Sequence, residues 1–348
     1  MNRPDRAHRQ TFVLLLLTLV LSSCIPVQLP AAATAVETPA QAADTTASAA
    51  EMSDFPVTLE NCGLTTTYAA PPARAVTMNQ GATEIMLALG LQERMAGTAY
   101  LDDTILPEYQ AAYAAIPVLA EEYPSQEVLL AAEPDFVYGA YASAFAEEAA
   151  GSRTDLAALG IGSYLSSIAC DDNSLRPAQT TFETVYSELR DIGRIFGVTA
   201  RAEALIAELQ GRLDEVRSRL DGAEPVSIFW YDSGIDEPLA GACCGAPNLI
   251  IAAVGASNIF TDAAGNWATV NWETVVERSP QVIVVIDAAW DPAQQKIDLL
   301  QTNPAYASIT AVQDGRLVVL PFSATTLGVR NVTAVVDLAK ALYPERFD

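Results

Sequence analysis

The chain has 348 residues, with 43 Asp and Glu against 19 Lys and Arg and a formal charge of −24. A field of that sign repels nucleic acid and excludes it as a partner; it permits a cationic ligand without demanding one. The one histidine is His8, so nothing after it offers an imidazole, which excludes Ser-His-Asp and Cys-His catalysis and capture of zinc or manganese on His clusters.

Residues 1–9 carry Arg3, Arg6 and Arg9 against Asp5, and an apolar run follows from Phe12 to Leu21. That run is about half of the roughly 20 apolar residues a spanning helix needs. With its basic flank it reads as an export signal. Leu21-Ser22-Ser23-Cys24 resembles the bacterial lipobox, which implies a lipid on Cys24 and a stable hold on a membrane, in the periplasm or at the outer face of the cell. Position 25 is Ile, not Asp, so there is no inner-membrane retention signal of the Gram-negative kind. Residues 25–53 are mainly Ala, Thr, Pro, Glu and Gln with almost no large apolar side chain, a composition that predicts a disordered tether.

Roughly 295 residues remain, long for a single core. A strand is predicted at 73–78, ending at Asn79-Gln80-Gly81, then a helix at 82–89 stopped by Gly90. A strand at 95–98, a helix at 125–132 running into Pro134, a strand at 135–138, a helix at 153–159 and a strand from 163 follow. Two long helical stretches come next, 180–196 and 200–220. The second spans about 30 Å and is closed by Asp221-Gly222. Strands resume at 226–230, 282–286 and 317–320, and a helix at 332–342 ends the chain. The alternation predicts an α/β fold of two Rossmann-like lobes with mostly parallel sheets joined by one long α-helix. The expected division is signal 1–23, tether 24–53, N-terminal lobe 54–178, helical region 179–222 and C-terminal lobe 223–348.

The halves are weak internal repeats. Glu127 precedes Pro134 by seven residues, as Glu273 precedes Pro280, with a helix in the gap and a hydrophobic strand beyond. Upstream, Thr83-Glu-Ile-Met-Leu-Ala-Leu-Gly90 echoes Asn248-Leu-Ile-Ile-Ala-Ala-Val-Gly255. Two such pairs around a long helix argue for similar lobes facing each other.

Four cysteines lie beyond Cys24. In an oxidising compartment Cys62 and Cys170 are the favoured disulfide pair. The adjacent Cys243 and Cys244 leave several readings open: a vicinal disulfide, free thiols, a soft-metal site, or small packing residues beside Gly245.

With its paired Glu-x6-Pro segments around a long helix, behind a lipobox, the chain resembles the ABC-importer substrate-binding proteins whose lobes are joined by one rigid helix, which handle iron-siderophores, haem and cobalamin. The resemblance covers about 55–348. It implies that Glu127 and Glu273, one per lobe, dock on Arg residues of a permease dimer; the plainer alternative is an acid favoured in a first helical turn. Trp230-Tyr-Asp-Ser-Gly234, Gly241-Ala-Cys-Cys-Gly-Ala-Pro247 and the stretch from Pro321-Phe322 through Gly328-Val-Arg330-Asn331 resemble a narrower subgroup proposed to bind a deazaflavin-cofactor precursor. The lack of histidine departs from the haem and zinc branches.

In α/β lobes, ligands lie outside the carboxyl ends of strands. That rule selects Asn79, Gln80, Tyr100, Tyr138 and Tyr141 in the first lobe, and Trp230, Tyr231, Asp232, Asp287, Trp290 and Phe322 in the second. Aromatic faces there suit a flat, conjugated or chelate-like small molecule. Arg330, among apolar residues, is read either as a fork for an anionic ligand group or as one half of an internal salt bridge. No cofactor or resident metal is expected, and the protein should act as a monomer with modest lobe closure on its stiff helix. No Gly-x-Ser-x-Gly elbow, phosphate loop or Gly-x-Gly-x-x-Gly is present, so an enzyme is disfavoured. The rivals are a surface adhesion or scaffold lipoprotein and, further behind, a hydrolase built on a carboxylate pair.

Overall fold

The computed structural model describes residues 54–347, which belong to one compact unit, Thr45–Asp348. The export segment, the lipobox with Cys24, and the tether lie outside the described residues. Among the described residues no helix is long and apolar enough to cross a membrane.

The body opens with a hairpin of β1 (Val57–Asn61) and β2 (Leu64–Tyr68), turned through Cys62 and Gly63, both at positive φ. This hairpin precedes the first strand expected from the sequence, at 73–78. Five strands then form a sheet: β3 (Ala75–Met78), β4 (Met95–Ala99), β5 (Val118–Ala120), β6 (Phe136–Gly139) and β7 (Gly162–Leu165), in spatial order β5-β4-β3-β6-β7, all parallel. The order reverses between β3 and β6, the kind of switch point where doubly wound sheets bind ligands.

A second sheet holds β8 (Ser227–Ser233), β9 (Leu239–Gly241), β10 (Ser257–Asn258), β11 (Trp267–Thr269), β12 (Val282–Asp287) and β13 (Leu317–Pro321). Strands β8, β10, β12 and β13 are parallel, whereas β9 pairs antiparallel with both β8 and β11 on one flank, so this sheet is mixed. Strand β12, paired on both sides, shows why such segments read as unbroken apolar runs. Val282, Val284 and Ile286 enter one core and Ile283 and Val285 the other.

The helices are α1 (Gln80–Ala88), α2 (Gln110–Tyr113), α3 (Gln126–Ala131), α4 (Arg153–Ala158), α5 (Phe182–Ile195), α6 (Thr199–Arg219), α7 (Ala246–Ala253), α8 (Trp272–Arg278), α9 (Ala293–Thr302), α10 (Thr310–Gln313) and α11 (Arg330–Leu342). The 21-residue α6 serves both sheets: Ile206 and Leu209 lie in the core of the first, Val216 in that of the second, and Leu213 packs against both. The repeats recur in three dimensions. Ser125 and Asn271 cap α3 and α8 by accepting from the N–H of Val128 and Thr274, and each helix leads to a residue at positive φ, Glu133 or Ser279, directly before a proline.

The two sheets are tied closely around α1. A Cβ added at Gly81 would lie 2.6 Å from the Leu327 carbonyl oxygen, so this approach requires glycine. Leu327, Val329 and Val332 follow the second sheet in sequence yet pack in the core of the first. Disulfides join Cys62 to Cys170, the pair favoured from sequence, and Cys243 to Cys244.

Candidate ligand cleft

The carboxyl ends of β3, β4 and β6 bring Asn79, Tyr100 and Tyr141 together with two residues absent from the sequence selection, Asp102 and Tyr123. The Tyr123 hydroxyl donates to Asn79 Oδ1 at 3.0 Å and lies 2.9 Å from Ser143 Oγ, and its ring stands edge-on to Tyr100 with centroids 4.6 Å apart. Asn79 (φ 73°, ψ 162°) and Tyr100 (φ 55°) both sit at positive φ, which costs a non-glycine residue about 1–3 kcal/mol. Asn79 is held there by its N–H on the Ala99 carbonyl at 3.1 Å. Strain of this kind clusters at ligand clamps. The second sheet contributes Asp232 beyond the middle of β8, and Trp290 against Phe322 with centroids 4.6 Å apart; Trp290 is 60% exposed.

Burial raises the Asp102 carboxyl to about 6, with Asp103 adding to the shift. Burial likewise raises Asp232 to about 6, against the pull of Ser233 and Lys296. Burial pushes the Tyr141 hydroxyl up, helped by the carboxylates of Asp102 and Asp232, so acids from both sheets act on one ring. Asp102 Oδ2 and Asp232 Oδ1 are buried and have no hydrogen-bond partner among the described residues, an arrangement that costs free energy unless something compensates it.

The cations beside these groups are committed. Arg330 grips Glu84 with two nitrogens, Nε to Oε2 at 2.7 Å and Nη2 to Oε1 at 2.6 Å, and Nη2 also donates to the Thr104 carbonyl. Lys296, 1% exposed, donates to the carbonyls of Asp232 and Asp291 at 2.9 and 2.8 Å and lies 2.9 Å from Asp291 Oδ2. Arg330 is therefore the internal salt bridge of the two readings offered above, not a ligand clamp. Gln80 belongs to the same network: its Nε2 donates to Glu84 Oε1 at 2.9 Å, and its Oε1 accepts from the Asp103 N–H at 3.3 Å. Asp103 Oδ2 in turn accepts from the Ser323 N–H at 2.6 Å, a second tie between the sheets.

Four selected residues lie elsewhere. Tyr138, Trp230 and Tyr231 are fully buried. Tyr138 donates to Glu188 and meets Tyr164 edge-on, Trp230 packs in one core of the second sheet, and Tyr231 in the other, with its hydroxyl on the Gly234 carbonyl at 2.6 Å. The reason is strand length: β6 runs on to Gly139 and β8 to Ser233, so these rings are mid-strand, where a sheet covered on both faces buries both sets of side chains. Asp287 is exposed and accepts from the Ala293 N–H at 2.8 Å, holding the entry to α9. Tyr123 was missed because β5 has only three residues, too short to register as a strand with an end.

Glu127 and Glu273 are both exposed in the first turns of α3 and α8. Among the described residues no group of three or more His, Cys, Asp or Glu is arranged to hold a metal ion.

A family model described as periplasmic binding protein matches residues 76–324. The chain is similar to a periplasmic binding protein from Veillonella parvula dsm 2008, at 31% identity over 83% of this chain and 97% of that one, with a TM-score of 0.73. It is also similar to an ABC-type Fe3+-hydroxamate transport system structure from Saccharomonospora viridis DSM 43017, at 26% identity over 83% and 99%, with a TM-score of 0.69. The periplasmic heme-binding protein RhuT from Roseiflexus sp. RS-1, at 21% identity over 80% and 99% and a TM-score of 0.63, shares the fold. No curated protein matches the chain.

Proposed function

The chain belongs to the periplasmic binding protein family, and on that premise we propose that it is the solute receptor of an ABC importer, taking a small molecule between its two sheets. Members of the family bind solutes outside the cytoplasm and are not enzymes, which leaves no place for the hydrolase reading. The observation that carries the ligand class is the pair of unpartnered buried carboxylate oxygens on Asp102 and Asp232, both of which act on the Tyr141 hydroxyl, while Arg330 and Lys296 are engaged with the protein itself. An anion entering this cleft would meet two carboxylates and no free fork. A neutral or cationic ligand with a conjugated or chelate frame would bring donors to satisfy both oxygens, and would find rings at Tyr100, Tyr123, Trp290 and Phe322 to lie against. Ferric hydroxamates, corrinoids and deazaflavin precursors fit this description better than haem, whose carboxylates call for cations.

The test is a tryptophan-fluorescence titration of the full chain, corrected for ligand absorbance, against ferric hydroxamates, cobalamin, deazaflavins and haem. Saturable quenching by a neutral or cationic member is expected, weakening as pH falls through about 6 and the two acids protonate. Tight haem binding would overturn the charge argument, and silence across the panel would remove the ligand range.

Delivery to the importer rests on Glu127 and Glu273, and retention at a membrane on a lipid at Cys24. The lipobox supports the second point: Cys24→Ala should move the protein from the membrane fraction to the soluble one, and an unchanged distribution would refute it.

A further inference from the structure

The two disulfides differ in what they can do for the fold. Cys62–Cys170 spans a sequence separation of 108, whereas Cys243–Cys244 spans 1. A cross-link stabilises chiefly by removing loop-closure freedom from the unfolded chain. The first bridge removes much of that freedom, and the second closes no loop beyond its own peptide. Its effect is therefore local.

That local effect falls on a junction between the two halves. The pair follows β9 and directly precedes Gly245, the N-cap of α7. The Cys244 carbonyl accepts from the Thr180 N–H at 2.7 Å, the Cys243 N–H donates to the Ala263 carbonyl at 3.3 Å, and Cys243 Sγ lies 3.5 Å from the Gly265 carbonyl oxygen. Thr180 is buried and sits one residue before Thr181, whose side chain caps α5 in a reciprocal box with Thr184. The Cys244 carbonyl that anchors the strap leading from the first sheet into the helical region leaves directly from a ring atom, the Cα of Cys244, so the small disulfide ring fixes the direction in which it points. Both cysteines are half-buried, so reagents can reach either sulfur; of the other pair Cys62 is half-buried as well, but Cys170 is 2% exposed, so that bridge offers one reachable sulfur where this one offers two.

We propose that Cys243–Cys244 is a thiol–disulfide exchange site for an extracytoplasmic dithiol, and that its redox state sets the hold on Thr180. A thiolate of the dithiol attacks one sulfur, forming a mixed disulfide and releasing the other cysteine as a thiolate. The dithiol's second thiol then displaces the bound cysteine. Two electrons and two protons pass to the pair, which ends as two thiols, and the dithiol leaves as its disulfide. Without the ring, rotation about the N–Cα bond of Cys244 is freed, its carbonyl is no longer aimed at Thr180, and the anchor loosens. The inference does not depend on which ligand the cleft takes.

The experiment treats the full oxidised chain under native conditions with graded dithiothreitol, traps thiols by alkylation, locates them by mass spectrometry, and follows amide hydrogen exchange. Cys243 and Cys244 should label together at least tenfold faster than Cys62 and Cys170. Once reduced, the pair should take up one trivalent phenylarsenical per chain, and the Thr180 amide should exchange at least tenfold faster. The double variant Cys243→Ser, Cys244→Ser should reproduce that exchange without reductant. Opening of Cys62–Cys170 at the same rate, or an unchanged Thr180 amide after reduction, would overturn the proposal; the reduction arm decides even if the variant fails to fold.

Discussion

Arg330 reaches Glu84 across 246 positions of sequence, and both side chains are almost fully covered. Such a pair contributes little beyond what an apolar pair of the same shape would, yet removing one partner leaves an uncompensated buried charge and costs about 3–5 kcal/mol. Glu84→Gln keeps the shape and removes the charge, so chemical denaturation should show a loss in that range; a loss below about 1 kcal/mol would mean that water reaches Arg330. Gln80 and Asp103 share the network, so the damage should spread to the tie at Ser323 and loosen the approach at Gly81. Asp102 and Asp232 differ from this pair in having buried oxygens left open, which is why the ligand reading rests on them.

At the scale of elements, α3 and α8 are one design used twice. Each carries a capping side chain, a glutamate in its first turn, a positive-φ exit and a proline before a buried strand. The caps satisfy N–H groups that would otherwise be orphaned, and they leave Glu127 and Glu273 pointing outward on short, fixed stubs. Exposed carboxylates contribute little to stability, so their use is sought in docking. Glu127→Lys together with Glu273→Lys should leave the melting temperature and ligand affinity unchanged while cutting importer-dependent uptake at least tenfold; normal uptake would remove the docking role. The single helix α6 works differently, sharing its apolar stripe between two cores through Leu209, Leu213 and Val216, which favours modest closure over a wide hinge.

Across the whole molecule, the acids that matter for pH are those raised by burial. Glu188, gripped by Tyr138 and by Ser166 Oγ at 2.8 Å, is pushed up to about 7 by burial, and Asp102 and Asp232 to about 6. A carboxyl raised on folding holds a proton that the unfolded chain has already released. Its stabilising contribution is therefore complete below the ordinary carboxylate range and is lost as pH rises to the raised value. Glu188→Gln keeps an uncharged donor and acceptor in place. Its melting temperature relative to the parent should therefore improve between pH 5 and pH 8, and a constant difference across that range would show that Glu188 does not titrate there. Much of this architecture could be read from the residues. The βα alternation and the long helix foretold the α/β fold with its two sheets. Asn79, Tyr100, Tyr141, Asp232, Trp290 and Phe322 lie where the strand-end rule put them. Tyr138, Trp230 and Tyr231 do not, because strand ends drift by a residue or two and side chains alternate between faces. The short β9 and β11 carry no legible pattern, because three-residue strands have no periodicity.

What the sequence determined by itself was local: hydrophobic periods, caps, breakers and the spacing of the two repeats, each set by interactions within a few residues. The absence of histidine beyond residue 8 removed whole classes of chemistry without any coordinates. Only the tertiary structure decided which charges remain available. Arg330 is spent on Glu84 and Lys296 on backbone carbonyls, while Asp102 and Asp232 keep open oxygens. Pairing between residues hundreds of positions apart depends on how the sheets pack, and packing is a property of all the buried side chains together, which no local pattern records.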